Sequence, residues 1–422
     1  MFKKDFIENK IPLVMENIEG LRSVVTGIWV KTGSRFEQPQ NNGISHFLEH
    51  LMFKGTQKRS QKEIAIEIDR LGGDINAFTS REHTVYYVKL LNDYFEQGID
   101  ILADILTNSL FKDDDIEKEK NIIHEEIRMT EDTPDDYIHD YFYNNIWGNK
   151  GLGLSVLGTE ESVSSLKRDD IIHHLRKYYT PKDIIISCAG NINFDETVNI
   201  LNKKLGANKN ITQSLDEYDN SERIDNTPVF KKGLNVYQKD LAEAHICIGV
   251  EGVKQNSILR YPFLLIHTLF GAGFSSRLFQ EIRENMGLAY SVFSFLSSYY
   301  DTGVFGVYAG TNKDRYEEVI DNVLKQMKTL KNTITADELQ RSKDHLKGNL
   351  LLNLESSSGR MQNIARQQIY YGKYYSPNEI IEGIDKVSME DVYNIIDEYI
   401  LTDKIAVSIL GPVNKDKIMG IV

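Results

Sequence analysis

Gly43-Ile44-Ser45-His46-Phe47-Leu48-Glu49-His50-Leu51-Met52-Phe53 is the stretch on which the reading of this chain turns. Apolar Ile44, Phe47, Leu48 and Leu51 recur at helical spacing, and no glycine or proline interrupts them. Ser45 stands near the start, where a hydroxyl can cap free amides. His46 and His50 are four apart and project from one face, with Glu49 on the same side. Two imidazoles and a carboxylate in this order, H-x-x-E-H, suit a catalytic zinc site: two neutral nitrogen ligands, and a base for the attacking water. A solvated helix edge would carry the same letters. The apolar neighbours argue against that, because burying three ionisable groups without a partner costs roughly 2–7 kcal/mol each even when neutral. A metal removes that cost.

A catalytic zinc site needs a third protein ligand. The richest candidate segment is 113–129, where Asp113 to Asp115 give an acidic helix start and Ile116, Ile122, Ile123 and Ile127 a buried stripe. Glu119 and Glu126, two turns apart, both border that stripe; Glu125 and His124 stand beside Glu126 as alternatives.

His46-x-x-Glu49-His50, followed 126 − 50 = 76 positions later by Glu126 in a Glu-Glu pair, resembles the inverzincin family of pitrilysin, insulysin and the mitochondrial processing peptidase. The resemblance implies zinc held by His46, His50 and Glu126, Glu49 as general base, and Glu119 as a supporting carboxylate. It extends to Gly72-Gly73-Asp74-Ile75-Asn76-Ala77-Phe78-Thr79, similar to the family's substrate-binding edge strand, so Asn76, Ala77, Phe78 and Thr79 are expected to bind substrate. Arg283 and Tyr290, in Arg283-Glu284-Asn285-Met286-Gly287-Leu288-Ala289-Tyr290, match its substrate-contacting pair. Read without the resemblance, that pair is an ordinary surface arginine and a packed tyrosine.

The 422 residues suffice for two domains, each with a full core. A strand pair is expected over 11–16 and 21–31, a helix over 61–71, and a hairpin over 75–79 and 84–90. Helices are expected at 93–108, 113–129, 136–147 and 167–178, and a buried strand over 184–188. The second half repeats this order. Asp169 to Tyr178 with Ile184 to Gly190 parallels Glu390 to Tyr399 with Ile405 to Gly411, an offset of 411 − 190 = 221 residues. Such a period means two copies of one α+β unit. The fold class is therefore α+β, with two homologous repeats of a mostly antiparallel sheet packed with helices. The expected division is a zinc-binding catalytic repeat over 1–205, a polar linker over 206–228 and a metal-free, substrate-contacting repeat over 229–422. At the same offset His46 maps to His267, but Glu49 maps to Phe270, His50 to Gly271 and Glu126 to the vicinity of Lys347.

A net charge of −13 argues against a general nucleic-acid binder. Cys188 and Cys247 lie in apolar strand-like runs and read as reduced core residues. Residues 1–10 lack the apolar core of a signal peptide, and no apolar run approaches the ~18 residues of a membrane span. No membrane partner is expected, and the location expected is cytoplasmic. The resemblance implies a zinc endopeptidase that takes extended or unfolded peptides as an added β-strand. It also implies a homodimer, because this one chain carries both the zinc motif and the Arg/Tyr pair. Two rivals remain: a catalytically silent peptide-binding or core-type subunit, and a zinc hydrolase of small molecules.

Overall fold

The computed structural model describes residues 1–206, 228–400 and 402–421. They divide into two compact units, the first made of 1–128, 150–206 and 352–374, the second of 129–149, 228–351, 375–400 and 402–421. The linker expected over 206–228 lies, apart from its two end residues, outside the described residues.

The first unit is built on a six-stranded sheet. Its strands are β1 (Phe2–Phe6), β2 (Pro12–Asn17), β3 (Ser23–Val30), β4 (Asp74–Thr79), β5 (Thr84–Leu91) and β6 (Ile184–Gly190). The spatial order is β1-β2-β6-β3-β5-β4. Residues 11–16 and 21–31 therefore do not form the strand pair the sequence suggested. The wholly buried β6 lies between them, parallel to β2 and antiparallel to β3. The 75–79 and 84–90 hairpin is present as β4 and β5, paired antiparallel. β1, absent from the sequence reading, adds antiparallel to β2.

Both faces of the middle of this sheet are buried, so β3 reads as a nearly continuous apolar run. Val24, Ile28 and Val30 join one core with Phe47, Leu48, Ile101, Ile123 and Ile171. Val25 and Trp29 face the other way, onto Met361, Ile364 and Ala365 of the helix Ser357–Tyr371. A Cβ on Gly27 would meet Met361 Sδ at 2.6 Å, so glycine lets that helix seat. Trp29 Nε1 donates to Ser187 Oγ at 3.0 Å.

The second unit repeats the plan. β7 (Gly233–Tyr237), β8 (Glu243–Gly252), β9 (Ala289–Ser298), β10 (Gly303–Asn312) and β11 (Ala406–Leu410) form a five-stranded sheet in the order β7-β11-β8-β10-β9. This order matches β2-β6-β3-β5-β4 strand for strand, including the single parallel pair, β7 with β11. The helix Pro134–Trp147 packs on this sheet. Phe142 and His139 pack edge-on against Phe295, and Tyr143 shares a 2.8 Å hydrogen bond with Ser297. A Cβ on Gly249 would meet Phe142 Cζ at 2.7 Å.

The compact units are therefore not the contiguous halves 1–205 and 229–422. Segment 129–149 belongs to the second unit and 352–374 to the first. Each sheet takes one covering helix from the other half of the sequence. Cys188 and Cys247 are buried and unpaired on β6 and β8. No helix among the described residues is long and apolar enough to cross a membrane.

Candidate metal centre and peptide edge

The motif forms a helix, Ile44–Met52, with Ile44, Phe47, Leu48 and Leu51 buried as their spacing requires. Its start differs from the expectation. Ser45 does not cap it; the Ser45 hydroxyl lies 3.3 Å from His174 Nε2. Glu37, in the loop before the helix, takes the free amides instead. Its carboxylate accepts from the backbone N–H of Gly43 at 2.7 Å and of Ser45 at 2.8 Å, and from Asn42 Nδ2 at 2.8 Å. A carboxylate offers two charged acceptors to the positive end of the helix, where a hydroxyl offers one neutral oxygen. Gly43 has a φ of +93° and packs against the Leu157 carbonyl, a conformation and a space open to glycine alone.

His46 and His50 stand side by side, their ring centroids 4.6 Å apart. The helix Asp113–Glu131 brings Glu126 to them: Oε2 lies 3.7 Å from Nε2 of each ring. Glu125 points away, its side chain 69% exposed and paired with Arg128 at 2.8 Å. His124 lies 3.2 Å from the Ser164 hydroxyl. Of the three alternatives, only Glu126 faces the histidines. One nitrogen from each ring and one carboxylate oxygen lie within 4.8 Å of one another, the only such trio among the described residues. Bonds of 2.0–2.1 Å in a tetrahedron separate ligand atoms by roughly 3.4 Å, so a zinc ion fits with small side-chain shifts.

The surroundings treat the two imidazoles differently: one is held neutral, and the other leans on a charged carboxylate. Burial, with His50 alongside, pushes His46 down to about 3, which keeps it neutral. Burial also pulls on His50, but the hydrogen bond to Glu119 and the charges of Glu126 and Glu49 outweigh it and raise its pKa. His50 Nδ1 lies 3.1 Å from Glu119 Oε2, which directs its Nε2 toward Glu126. Burial would raise Glu119, but His50 and Lys54 hold it below the usual carboxylate value.

Glu49 accepts a short hydrogen bond from the Thr79 hydroxyl. Burial raises its pKa, with Glu126 adding to the effect against Thr79 and His50. Thr79 ends β4, and β4 is the edge of its sheet, paired only with β5. Asn76 is exposed, and its side-chain oxygen accepts from the backbone N–H of Ala77 at 2.8 Å. Ala77 and Phe78 are half-buried on the same strand, and Phe78 meets Trp29 edge-on.

The structure thus brings His46, His50, Glu126, Glu119, Glu49 and Thr79 into one cluster at the end of an open strand. Arg283 and Tyr290 belong to the second unit. Both are exposed, and Arg283 lies over the Phe279 ring at 4.9 Å. In that unit His267 bonds the Ser294 hydroxyl at 2.8 Å, Phe270 is buried, and Lys347 pairs with Asp385. Sequence reasoning missed Glu37, Lys54 and the Thr79–Glu49 link. An acidic residue in the loop six positions before a glycine-started helix is a usable signal for the first; the others depend on contacts across the fold.

The chain is thus a duplicated α+β fold whose one metal-ready trio among the described residues lies in the first copy. Residues 13–160 match the family described as Insulinase (Peptidase family M16), and residues 165–346 match the Peptidase M16 inactive domain. The chain belongs to peptidase family M16. It is 38% identical over 413 residues to the uncharacterized zinc protease YmxG of Bacillus subtilis, covering 98% of each chain. It is 36% identical over 411 residues to an uncharacterized zinc protease of Streptomyces coelicolor, covering 96% of this chain and 88% of the relative. The crystal structure of a protease from Helicobacter pylori shares the fold with a TM-score of 0.90 at 24% identity, over 98% of this chain and 99% of that one.

Proposed function

We propose that this chain is a zinc-dependent endopeptidase acting on extended or unfolded peptides. The observation that carries the reading is the cluster itself: Glu126 facing both histidines, with Glu49 beside them and tied to the end of an open strand. His46 Nε2, His50 Nε2 and Glu126 Oε2 would hold the ion. Zinc bound there would supply Lewis acidity, polarising a carbonyl and lowering the pKa of water. Glu49 takes a proton from the attacking water as the new C–O bond forms, and delivers it to the amide nitrogen as the C–N bond breaks. Its raised pKa suits a base that must hold that proton between the two steps.

A substrate pairs with the free edge of β4 as an added strand. The Ala77 N–H, satisfied by the Asn76 side chain in the free chain, turns to that strand. Strand addition requires backbone groups that are not already paired, which favours unfolded peptides over folded proteins. In this reading Arg283 and Tyr290 hold the substrate carbonyl, supplied by a second copy of the chain in a homodimer. What supports that assembly is that this one chain carries both the zinc motif and the Arg/Tyr pair.

The test uses internally quenched unstructured peptides alongside a folded protein and small esters. The expected result is peptide cleavage that chelation abolishes and zinc restores, with the other substrates spared. Protein that carries no stoichiometric zinc and cleaves no peptide would favour a silent subunit; ester turnover without peptide turnover would favour a small-molecule hydrolase.

A further inference from the structure

Lys54 follows the motif helix by two residues, and its backbone N–H still bonds the Leu51 carbonyl at 3.1 Å. On its other side Gly55, with a φ of +123°, turns the chain, and Thr56 is fixed by a 2.6 Å hydrogen bond to Asp104. The lysine thus has firmly held backbone on both sides. Its ammonium lies 2.5 Å from Glu119 Oε1. The Glu119 side chain is only 3% exposed, whereas that of Lys54 is 21% exposed. The other oxygen of the same carboxylate is the one that meets His50 Nδ1 at 3.1 Å. One helix end therefore grips Glu119 from two sides, with His50 on Oε2 and Lys54 on Oε1.

We propose that Lys54 is a positioning residue of the metal site, fixing the Glu119 carboxylate so that His50 presents Nε2 toward Glu126. The inference rests on the zinc reading above. A buried carboxylate with one oxygen unpaired is unfavourable and turns to find a partner. Turning takes Oε2 off the His50 ring, and the ring loses the contact that sets its orientation. Lys54 also balances charge. The site gathers the carboxylates of Glu49, Glu119 and Glu126 around one divalent ion, and the ammonium offsets the carboxylate that does not face it.

The experiment measures zinc affinity of the full-length chain by competition with a chromophoric chelator. The set is wild type, Lys54→Met, Lys54→Arg, Glu119→Gln and the Lys54→Met/Glu119→Gln double variant. Loss of a group that orients a ligand weakens metal binding about 10–100-fold. Lys54→Met is expected in the lower part of that range, with Lys54→Arg restoring most of the affinity. In the Glu119→Gln background Lys54→Met should change nothing further, a coupling that a merely structural lysine would not produce. Should Lys54→Met fail to fold, Lys54→Gln takes its place in the same cycle. Wild-type affinity in the neutral variants, or equal losses with and without the Glu119 carboxylate, would overturn the inference alone. Wild-type protein without a stoichiometric zinc site would overturn the functional reading and this inference with it.

Discussion

Glu125 and Glu126 are neighbours on one helix with opposite surroundings. One is 69% exposed and held by Arg128; the other lies 3.7 Å from two imidazoles. The sequence made 113–129 legible as the right helix but could not choose among Glu126, Glu125 and His124 from their spacing. The choice depends on how that helix is rotated against the motif helix, and rotation is set by packing of Ile116, Ile123 and Ile127 across the core. His46, His50 and Glu49 were legible because one helical turn places them locally. Glu126→Gln is expected to strip or greatly weaken zinc, whereas Glu125→Gln keeps a full complement. Metal analysis of the two purified variants decides this, and the reverse pattern would move the ligand by one position.

The motif helix shows what an element owes to residues outside it. Its apolar stripe is readable in the sequence, but the Ser45 hydroxyl, placed where a cap is expected, meets His174 instead. Glu37, six residues before Gly43, supplies both amide acceptors from a buried position. Replacing it by alanine leaves the Gly43 and Ser45 N–H groups without their acceptor and the Asn42 amide with the Ser155 carbonyl alone. The expected loss is about 3 kcal/mol, read as a lower urea midpoint. Glu19→Ala, on an exposed turn, should stay within about 0.5 kcal/mol of wild type. A Glu37→Ala variant as stable as the Glu19 control would remove Glu37 as the anchor of this helix. Strand order was misread for a related reason. β2 and β3 follow each other in sequence, but of the strands in the first sheet only β6 is buried along its whole length, and a strand buried on both faces takes the middle of a sheet.

Over the whole molecule, the 221-residue offset was legible because both copies keep the same helix and strand pattern before Gly190 and Gly411. The exchange of covering helices was not. The apolar faces of Pro134–Trp147 and Ser357–Tyr371 say that each helix is buried, and nothing in their pattern says on which sheet. The division of chemistry between the copies leads to a prediction about assembly. The proposed metal ligands and base belong to the first unit, Arg283 and Tyr290 to the second. If Arg283 serves the zinc site of a partner chain, Glu49→Gln and Arg283→Ala complement each other. A mixed dimer then has one site with an intact base and an intact arginine, and both lesions fall on the other site. Differently tagged subunits, purified as the mixed dimer, should recover up to about half of wild-type peptidase activity. A mixed dimer as inactive as either variant alone would place Arg283 within its own chain's site or outside the chemistry.

The central claim is that Glu49 is the base of a zinc peptidase whose ligands are His46, His50 and Glu126. The most direct measurement is the turnover of Glu49→Gln on a quenched peptide, with its zinc content determined on the same preparation. One zinc per chain, an unchanged fold and a fall in turnover of at least ~10²-fold are expected. Near wild-type turnover by the zinc-loaded variant would contradict the claim.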